Sequence, residues 1–464
     1  MGSSWIKLVS SAFFCILPFL KFYRMLDKLF GWGKKKEDAA SSPAILFGRY
    51  SDNNKPVAKV NRWTDADNFF KEKKYTDSLD AFFEYLRDDT AQNVVYERNG
   101  AEGRFQLYQG SKIVRGSFDK DRLQAEVTLV KMPQPSVPVM RRLLEMNFNL
   151  YYSRYALDQD RLCMRFDSSI DSANPSKLYY GLKELSTKAD KQDDLLVQDF
   201  STLQTMDTGH IVEIPMQEKE VKYEYMQRWI KETFDSIATL DAEKFSGGIA
   251  YLLLTLAYKI DYLVAPEGSL LYDIEKIVSI YFQKEEKPAV EKNRDIMEEF
   301  KKLQARKKEE IFPQLYRSRY TFSIVAPQVH KSVSDAIQVA NQNMAWYRDN
   351  NYPFIANQIL EYGIAYCQYS FSLPRVITEL FHLFMMVNYS DYFEALGFKG
   401  KFYDPVNKRF AQQAIVERIK QTQDRWKEKY PNMYFQTENL SFTDLISFNL
   451  SFTNEIEFLN MEGK

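Results

Sequence analysis

The chain has 464 residues, and 45% of them are apolar, which is enough to form the cores of two or three domains. Its 62 basic side chains balance its 63 acidic ones, so the overall charge does not point to nucleic acid as a partner. With 17 glycines and 16 prolines, the composition is not that of a fibrous or disordered protein. Three widely spaced cysteines, Cys15, Cys163 and Cys367, argue against a disulfide framework and favour a reducing compartment.

The first apolar run, Leu8–Leu20, is too short to span a bilayer comfortably but has the length of a signal-peptide core. No small-residue cleavage site follows it, and Met25 begins a short amphipathic piece, a basic cluster and a polar linker. We therefore predict that residues 1–24 are a mis-assigned start or a signal-like segment, that residues 25–61 are a linker, and that the working protein is cytoplasmic. The alternative is membrane association or export through residues 5–23.

From residue 62 onward the pattern first predicts a helix and then four strands. Thr64-Asp65-Ala66-Asp67 resembles a capping box at the start of the helix, with aspartate in place of the usual glutamate. In the last strand, Arg122–Lys131, apolar and polar residues alternate, which indicates a sheet with one buried and one wet face. The other predicted strands are Asn93–Arg98, Arg104–Tyr108 and Lys112–Phe118.

Between Pro135 and Phe200 the pattern indicates a helix, two strands and a longer helix. Pro138 fits the first turn of the first helix, where its missing N–H leaves no hydrogen bond unmade. Leu150–Leu157 and Arg161–Phe166 predict two strands, and Asp158-Gln159-Asp160 suits the turn between them. Asn174-Pro175-Ser176 then opens the longer helix. The apolar stripe that predicts the first helix, over Val139–Asn147, is Val139, Met140, Leu143, Leu144 and Met146.

This order of elements over residues 62–202 resembles the YbjN-like and type III secretion chaperone-like (CesT-like) domain. The resemblance implies an α+β fold whose antiparallel sheet is flanked by helices. It also implies a protein that holds a partner segment, or dimerises, through the face or edge of that sheet. Ala66–Asp88 is also similar to a tetratricopeptide-type hairpin, but no second copy follows it.

The rest of the chain predicts helices, after a linker-like stretch at Thr202–Glu220. We expect a helical region at 220–305 and a helical domain at 306–435. Ile249–Val264 is predicted to be a buried helix and not a membrane span, because Lys259 and Asp261 interrupt it. The tail, 436–464, contains a tandem ten-residue repeat, Asn439–Phe448 and Asn449–Phe458. Its alternating pattern predicts strands, and the alternative is a short duplication kept for packing. The predicted fold class is therefore α+β, with a sheet domain followed by a mostly α-helical region.

Motifs for catalysis or metal binding are weak in this sequence. His210, His330 and His382 do not occur in a metal-binding spacing, and the sequence has no glycine-rich phosphate motif. Four acidic residues near the end of the longer helix lack the spacing of a calcium loop, so we predict a solvated helix end there. They are Asp190, Asp193, Asp194 and Asp199. We therefore predict no catalytic residue, no metal and no cofactor.

Tyrosine and arginine are enriched where proteins bind each other, and both occur in the predicted strand before Asp158. We therefore predict a non-enzymatic protein-binding or chaperone-like protein that uses Tyr151, Arg154 and Tyr155. Its partner would be another polypeptide or a second copy of the chain, with no nucleic acid and without a membrane. One alternative is an enzyme with a carboxylate-based site between the α+β and helical halves, and another is a tetratricopeptide-like scaffold.

Overall fold

The computed structural model describes residues 43–53, 55–284 and 287–462, and it has the predicted α+β architecture. An antiparallel sheet with its helices occupies the first part, and helices form most of the rest. Each part has its own apolar core. The predictions for residues 1–42 lie outside the described residues.

The α+β half begins with a helical hairpin. Helix α1 (Val57–Lys71) and helix α2 (Tyr75–Leu86) pack against each other across a three-residue turn in which Lys73 has φ +60°. The predicted capping box at Thr64–Asp67 is wrong, because those residues lie inside α1. The helix starts instead directly after Pro56, whose extended backbone precedes the first turn. Strands follow the hairpin, as the α+β prediction requires.

The sheet has the strand order β1-β2-β3-β4-β6-β5, and all neighbours are antiparallel. Side chains alternate between a buried face and a wet face, as predicted for a sheet covered on one side. The four strands predicted between Asn93 and Lys131 are confirmed. The strands are β1 (Val94–Asn99), β2 (Glu102–Gln109), β3 (Lys112–Phe118), β4 (Arg122–Lys131), β5 (Arg154–Asp158) and β6 (Arg161–Ser169).

Two helices flank the second hairpin of the sheet. Helix α3 (Val137–Asn147) has Pro138 in its first turn, and helix α4 (Pro175–Asp199) is capped by Asn174, whose side chain accepts the Lys177 N–H at 2.9 Å. Both predictions are confirmed. The strand predicted over Leu150–Leu157 forms only from Arg154 onward, because Leu150–Ser153 is a loop tied to α4.

Thr202–Glu220 is structured and is not a linker, so that prediction is wrong. Strand β7 (Gln204–Thr205) adds to β4, and β8 (Val212–Glu213) pairs with β9 (Tyr316–Arg317) of the helical half. The residues after β9 return to the sheet. Phe322 is buried in the core of the α+β half, and its N–H binds the Gln109 side chain at 3.0 Å.

The helical half is built around α6 (Ser246–Lys259), which contacts α8 (Ala289–Ala305) and α11 (Pro353–Ser370). This helix continues as a π-helical turn over Ile260–Val264. Among the described residues, Ser246–Val264 is the one stretch long and apolar enough to cross a membrane, and 89% of its apolar window is buried within the protein. The other helices are α5 (Met216–Ile237), α7 (Gly268–Phe282), α8 (Ala289–Ala305), α9 (Lys308–Ile311), α10 (His330–Asp349), α11 (Pro353–Ser370), α12 (Arg375–Asn388), α13 (Ser390–Ala395) and α14 (Gln412–Trp426), and a hairpin joins β10 (Tyr403–Asp404) to β11 (Arg409–Phe410).

The tail repeat does not form strands, so that prediction is also wrong. Helix α15 (Leu445–Glu457) crosses the boundary between the two copies, and the Asp444 side chain caps it by accepting the Ser447 N–H at 3.0 Å. Phe448, Phe452 and Ile456 repeat every four residues and are fully buried. Contacts with α10, α11 and α12 cover this face, and this burial selects the helix.

Candidate functional site

The wet face of the sheet is a ladder of ion pairs. Glu126 binds Arg165 at 2.5 Å, and Asp167 binds Arg122 at 2.8 Å and Arg154 at 2.6 Å. Exposed pairs of this kind contribute little to stability, about 0–1 kcal/mol each. Because these charges have partners of opposite sign, this part of the face has no strong field of either sign.

The three residues predicted to bind a partner lie on different sides of the sheet. Arg154 points to the wet face with 54% of its side chain exposed, bound to Asp167. Tyr155 is opposite Met164 in the register and is half-buried against the core of the α+β half, and burial raises its pKa. Tyr151 precedes the strand on a loop and is 92% exposed.

Glu184 of α4 fixes the backbone of the loop that carries Tyr151. Its carboxylate accepts the N–H groups of Tyr151, Tyr152 and Ser153 at 2.8, 2.9 and 2.8 Å. It also accepts the Ser153 hydroxyl at 2.7 Å. Burial alone would raise the pKa of Glu184, but these hydrogen bonds outweigh it and lower the pKa below the ordinary 4.5. The Tyr151 ring is therefore exposed on a backbone held in place.

We expect Glu184→Ala to lower the free energy of unfolding of the α+β half by about 1–2 kcal/mol at neutral pH, because the half-buried carboxylate that accepts three N–H groups is lost. The folded-state pKa of Glu184 is depressed, so its contribution is complete above the unfolded pKa and is lost as pH falls through the folded pKa. Urea unfolding at neutral and acidic pH measures both effects. The control is Glu145→Ala, which removes one exposed pair with Arg141. A pH-independent difference between Glu184→Ala and the wild type would contradict the assignment.

An apolar surface adjoins this loop, and we call it the α3 surface. It consists of Val137, Leu144, Phe148 and Tyr151, which are 81%, 65%, 93% and 92% exposed. The first three are seven and four residues apart, so they share one face of α3 and its C-cap. Neighbouring apolar residues in one exposed patch are typical of a binding surface.

Basic residues border the α3 surface. Arg141 shares its face of the helix and has 81% of its side chain exposed beside Glu145, at 3.1 Å. Arg142 is also exposed, and its positive charge acts to lower the pKa of Tyr155, against the larger effect of burial. The α3 surface therefore combines apolar side chains with two neighbouring arginines, one of which is paired with Glu145.

The solvated helix end predicted for α4 is wrong for three of its four aspartates. Asp193 is 3% exposed and pairs with the fully buried Lys112 at 2.8 Å. Asp190 accepts the Ser111 N–H at 2.7 Å, and burial raises its pKa well above the ordinary value. Burial also raises the pKa of Asp194, to about 7. Only Asp199 is exposed.

Asp190 and Asp194 face the helical half, where the charge of Glu267 raises the pKa of both carboxyls further. The structure thus gathers carboxylates from distant positions at the junction of the two halves. Within the described ranges, no group of three or more histidine, cysteine, aspartate or glutamate side chains is arranged to hold a metal ion.

The histidines and described cysteines have packing roles. His210 bonds the carbonyls of Asp207 at 2.9 Å and Gly110 at 3.2 Å, and His330 bonds the Ile456 carbonyl at 2.8 Å. Burial lowers the pKa of His382 to about 3, so it is neutral. Burial raises the pKa of Cys163 to about 11, which disfavours a reactive thiolate.

The sequence analysis missed Val137 and Phe148 and placed Leu144 in the buried stripe. The buried residues of α3 are Val139, Leu143 and Met146. The sequence does contain this pattern. Val137, Leu144 and Phe148 form a second apolar stripe on a different face of the helix from the buried stripe. A helix that packs on a sheet buries only one such stripe, so the second one stays exposed.

No protein-family model matches this chain, and the search of curated proteins gives no match. The similarity to the YbjN-like and secretion-chaperone-like domains therefore stays a prediction.

Proposed function

We propose that this protein is a non-enzymatic binding protein that holds a segment of another polypeptide on the α3 surface. The observation that carries the proposal is the exposure of Phe148 and Tyr151, each above nine-tenths, at the end of the sheet. Tyrosine and other aromatic side chains dominate the binding energy of protein interfaces when a partner covers them. Because Glu184 fixes the loop of Tyr151, little entropy is lost when that ring is covered.

The surface supports a partner of a particular chemistry. An apolar stripe along a helix pairs with the apolar stripe of an amphipathic segment. Arg141 and Arg142 favour acidic side chains beside that stripe. Addition of a strand at β5 is less well supported, because this edge strand has only five residues and carries charges at both ends.

We expect the wild type to bind a designed amphipathic peptide of about 20 residues, with leucines on one face and glutamates on the other. Phe148→Ser with Tyr151→Ser should weaken binding by about 2–4 kcal/mol, at least tenfold, because both aromatic anchors are lost. Fluorescence anisotropy with a labelled peptide measures the affinity. Tyr151→Ser with Arg154→Ser should weaken binding less, since Arg154 already pairs with Asp167.

The matched control is Phe458→Ser with Tyr434→Ser, which removes two exposed aromatic side chains from the helical half. It should leave the affinity unchanged. A peptide with lysines in place of glutamates should bind less tightly than the glutamate peptide. The proposal fails if the folded wild type does not bind the glutamate peptide, or if the Phe148 and Tyr151 variant binds it as tightly as the wild type does. Sedimentation of the unliganded protein reports self-association, the competing use of this surface.

We propose further that the protein works in the cytoplasm. The described cysteines, Cys163 and Cys367, are buried thiols without a disulfide, and this suits a reducing compartment. Detection of the protein in fractionated cells tests this, and recovery from an exported fraction would contradict it.

A further inference from the structure

A cleft of about 280 Å³ lies away from the α3 surface, at the junction of the two halves. Its walls come from the segment 45–51, from the residues of β9 and those directly after it, and from α12 and α14. Seven lysine and arginine side chains line it, against four aspartate and glutamate side chains. Its volume is near the lower end of small-molecule sites. The cleft therefore has the size of a small-molecule site, and its lining has an excess of positive charge.

Arginines of two helices form its most basic wall. Arg418 and Arg425 are seven residues apart on one face of α14, and Arg375 faces them from α12. Glu379 binds Arg425 at 2.6 Å and lies 3.6 Å from Arg375. Burial lowers the pKa of Arg375 and of Arg418, and the charge of Arg425 lowers both further. Three guanidinium groups gathered around one carboxylate favour an oxyanion, because guanidinium groups bind oxyanions through paired N–H donors.

A buried hydroxyl in the same cleft lacks a partner. Tyr262 lines the cleft, and only 1% of its surface is exposed. Its hydroxyl makes no hydrogen bond to any residue that the structure describes. A buried polar group without a partner destabilises a fold, so this hydroxyl is available to a water molecule or to a ligand group in the cleft.

Glu267 lines the same cleft and supplies a carboxylate to it. Its Oε1 accepts the Ser318 hydroxyl at 2.9 Å and also the Tyr320 hydroxyl. Burial raises the pKa of Glu267 to about 7. The carboxyl is held on a turn with positive φ at both ends, +48° at Ala265 and +55° at Gly268, directly after the π-helical turn. Ala265 is the strained residue of the two, because glycine adopts a positive φ freely, and strained residues are concentrated at ligand sites.

We propose that the cleft binds a small molecule that carries an oxyanion group and hydroxyl groups. The oxyanion binds at Arg375, Arg418 and Arg425, and the hydroxyl groups bind at Tyr262 and Glu267. Arginine side chains bind both phosphate and carboxylate oxygens through paired N–H donors, so the test must show which of these two groups the ligand carries. This site is independent of the α3 surface.

Three probes test the proposal by calorimetric titration: inorganic phosphate, glycerol phosphate and glycerate. We expect the wild type to bind glycerol phosphate or glycerate more tightly than inorganic phosphate, and the tighter of the two identifies the oxyanion. Arg418→Gln should weaken that binding roughly tenfold or more. The proposal is overturned if the folded protein binds none of the probes, or if Arg418→Gln leaves the affinity unchanged.

A pair of tyrosine variants separates ligand binding from folding. Tyr262→Phe removes only the hydroxyl without a partner, so we expect an unchanged or higher Tm and an affinity lowered by about threefold to tenfold. Tyr392→Phe is the matched control, because Tyr392 is equally buried but its hydroxyl donates to the Leu263 carbonyl at 2.7 Å. It should lower the Tm and leave the affinity unchanged. A lower Tm with unchanged affinity in Tyr262→Phe would overturn the role of Tyr262.

Discussion

Lys112→Met is expected to lower the free energy of unfolding by about 3–5 kcal/mol, because it leaves Asp193 as a buried charge without its partner. The side chains of Lys112 and Asp193 are 0% and 4% exposed, and their charged atoms are 2.8 Å apart. The ammonium also donates to the carbonyls of Leu129 at 2.9 Å and Met206 at 3.1 Å. Methionine fills the space of the aliphatic part of the lysine side chain, and the substitution removes the positive charge and the N–H donors of the ammonium group. Urea unfolding followed by circular dichroism measures the loss.

The double variant Lys112→Met with Asp193→Leu is the control for this prediction. It removes both charges, so most of the stability should return, since a well-packed apolar pair often replaces a buried ion pair without loss. If Lys112→Met alone lowers the free energy of unfolding by less than about 1 kcal/mol, the ion pair does not hold β3 to α4.

Arg49→Met is the second change expected to have a large effect, again about 3–5 kcal/mol. Arg49 belongs to the segment that forms a wall of the cleft. Its guanidinium binds Asp261 at 2.8 and 3.0 Å and Glu275 at 3.2 Å, and it lies over the Tyr369 ring at 4.1 Å. The Asp261 side chain is only 2% exposed, so it would be left as a buried carboxylate without a cation.

Hydrogen exchange and urea unfolding together measure this effect. Amides near Arg49 should exchange faster in Arg49→Met, because its ion pairs hold the middle of the segment. The bond from the Gly48 N–H to the Tyr262 carbonyl at 2.7 Å and the bonds of Ser51 and Asp52 to Leu373 and Tyr179 remain. Arg49→Lys is the matched control. It should lower the free energy of unfolding by an intermediate amount, because lysine keeps the positive charge but cannot form the bidentate pair with Asp261. Equal stability of the methionine and lysine variants would contradict the role of this ion pair.

Local patterns were sufficient to predict the sheet and most helices. Alternation along Arg122–Lys131 and the Asn174 cap are signals that lie within a few residues, and both appear in the structure as predicted. The tail repeat shows where such signals fail. Its apolar residues fit both the two-residue period of a strand and the four-residue spacing of a helix. The helix forms because three other helices cover Phe448 and Phe452.

The environment of charged side chains depends on residues far apart in the sequence. Nothing near Asp193 indicates that Lys112 of β3 will meet it, so a solvated helix end was the natural prediction. The loop position of Tyr151 likewise depends on Glu184, which lies beyond two strands. The sequence therefore singled out Tyr151 as a candidate contact residue, but the exposure of Val137 and Phe148 beside it follows only from the packing of α3.

Hydrogen exchange with and without the glutamate peptide is the most direct test of the central claim that the α3 surface binds a polypeptide. We predict that the bound peptide protects the amides between residues 137 and 157. Phe148→Ser with Tyr151→Ser should abolish that protection and leave the exchange of the helical half unchanged. Protection confined to the helical half, with residues 137–157 exchanging as in the unliganded protein, would contradict the account.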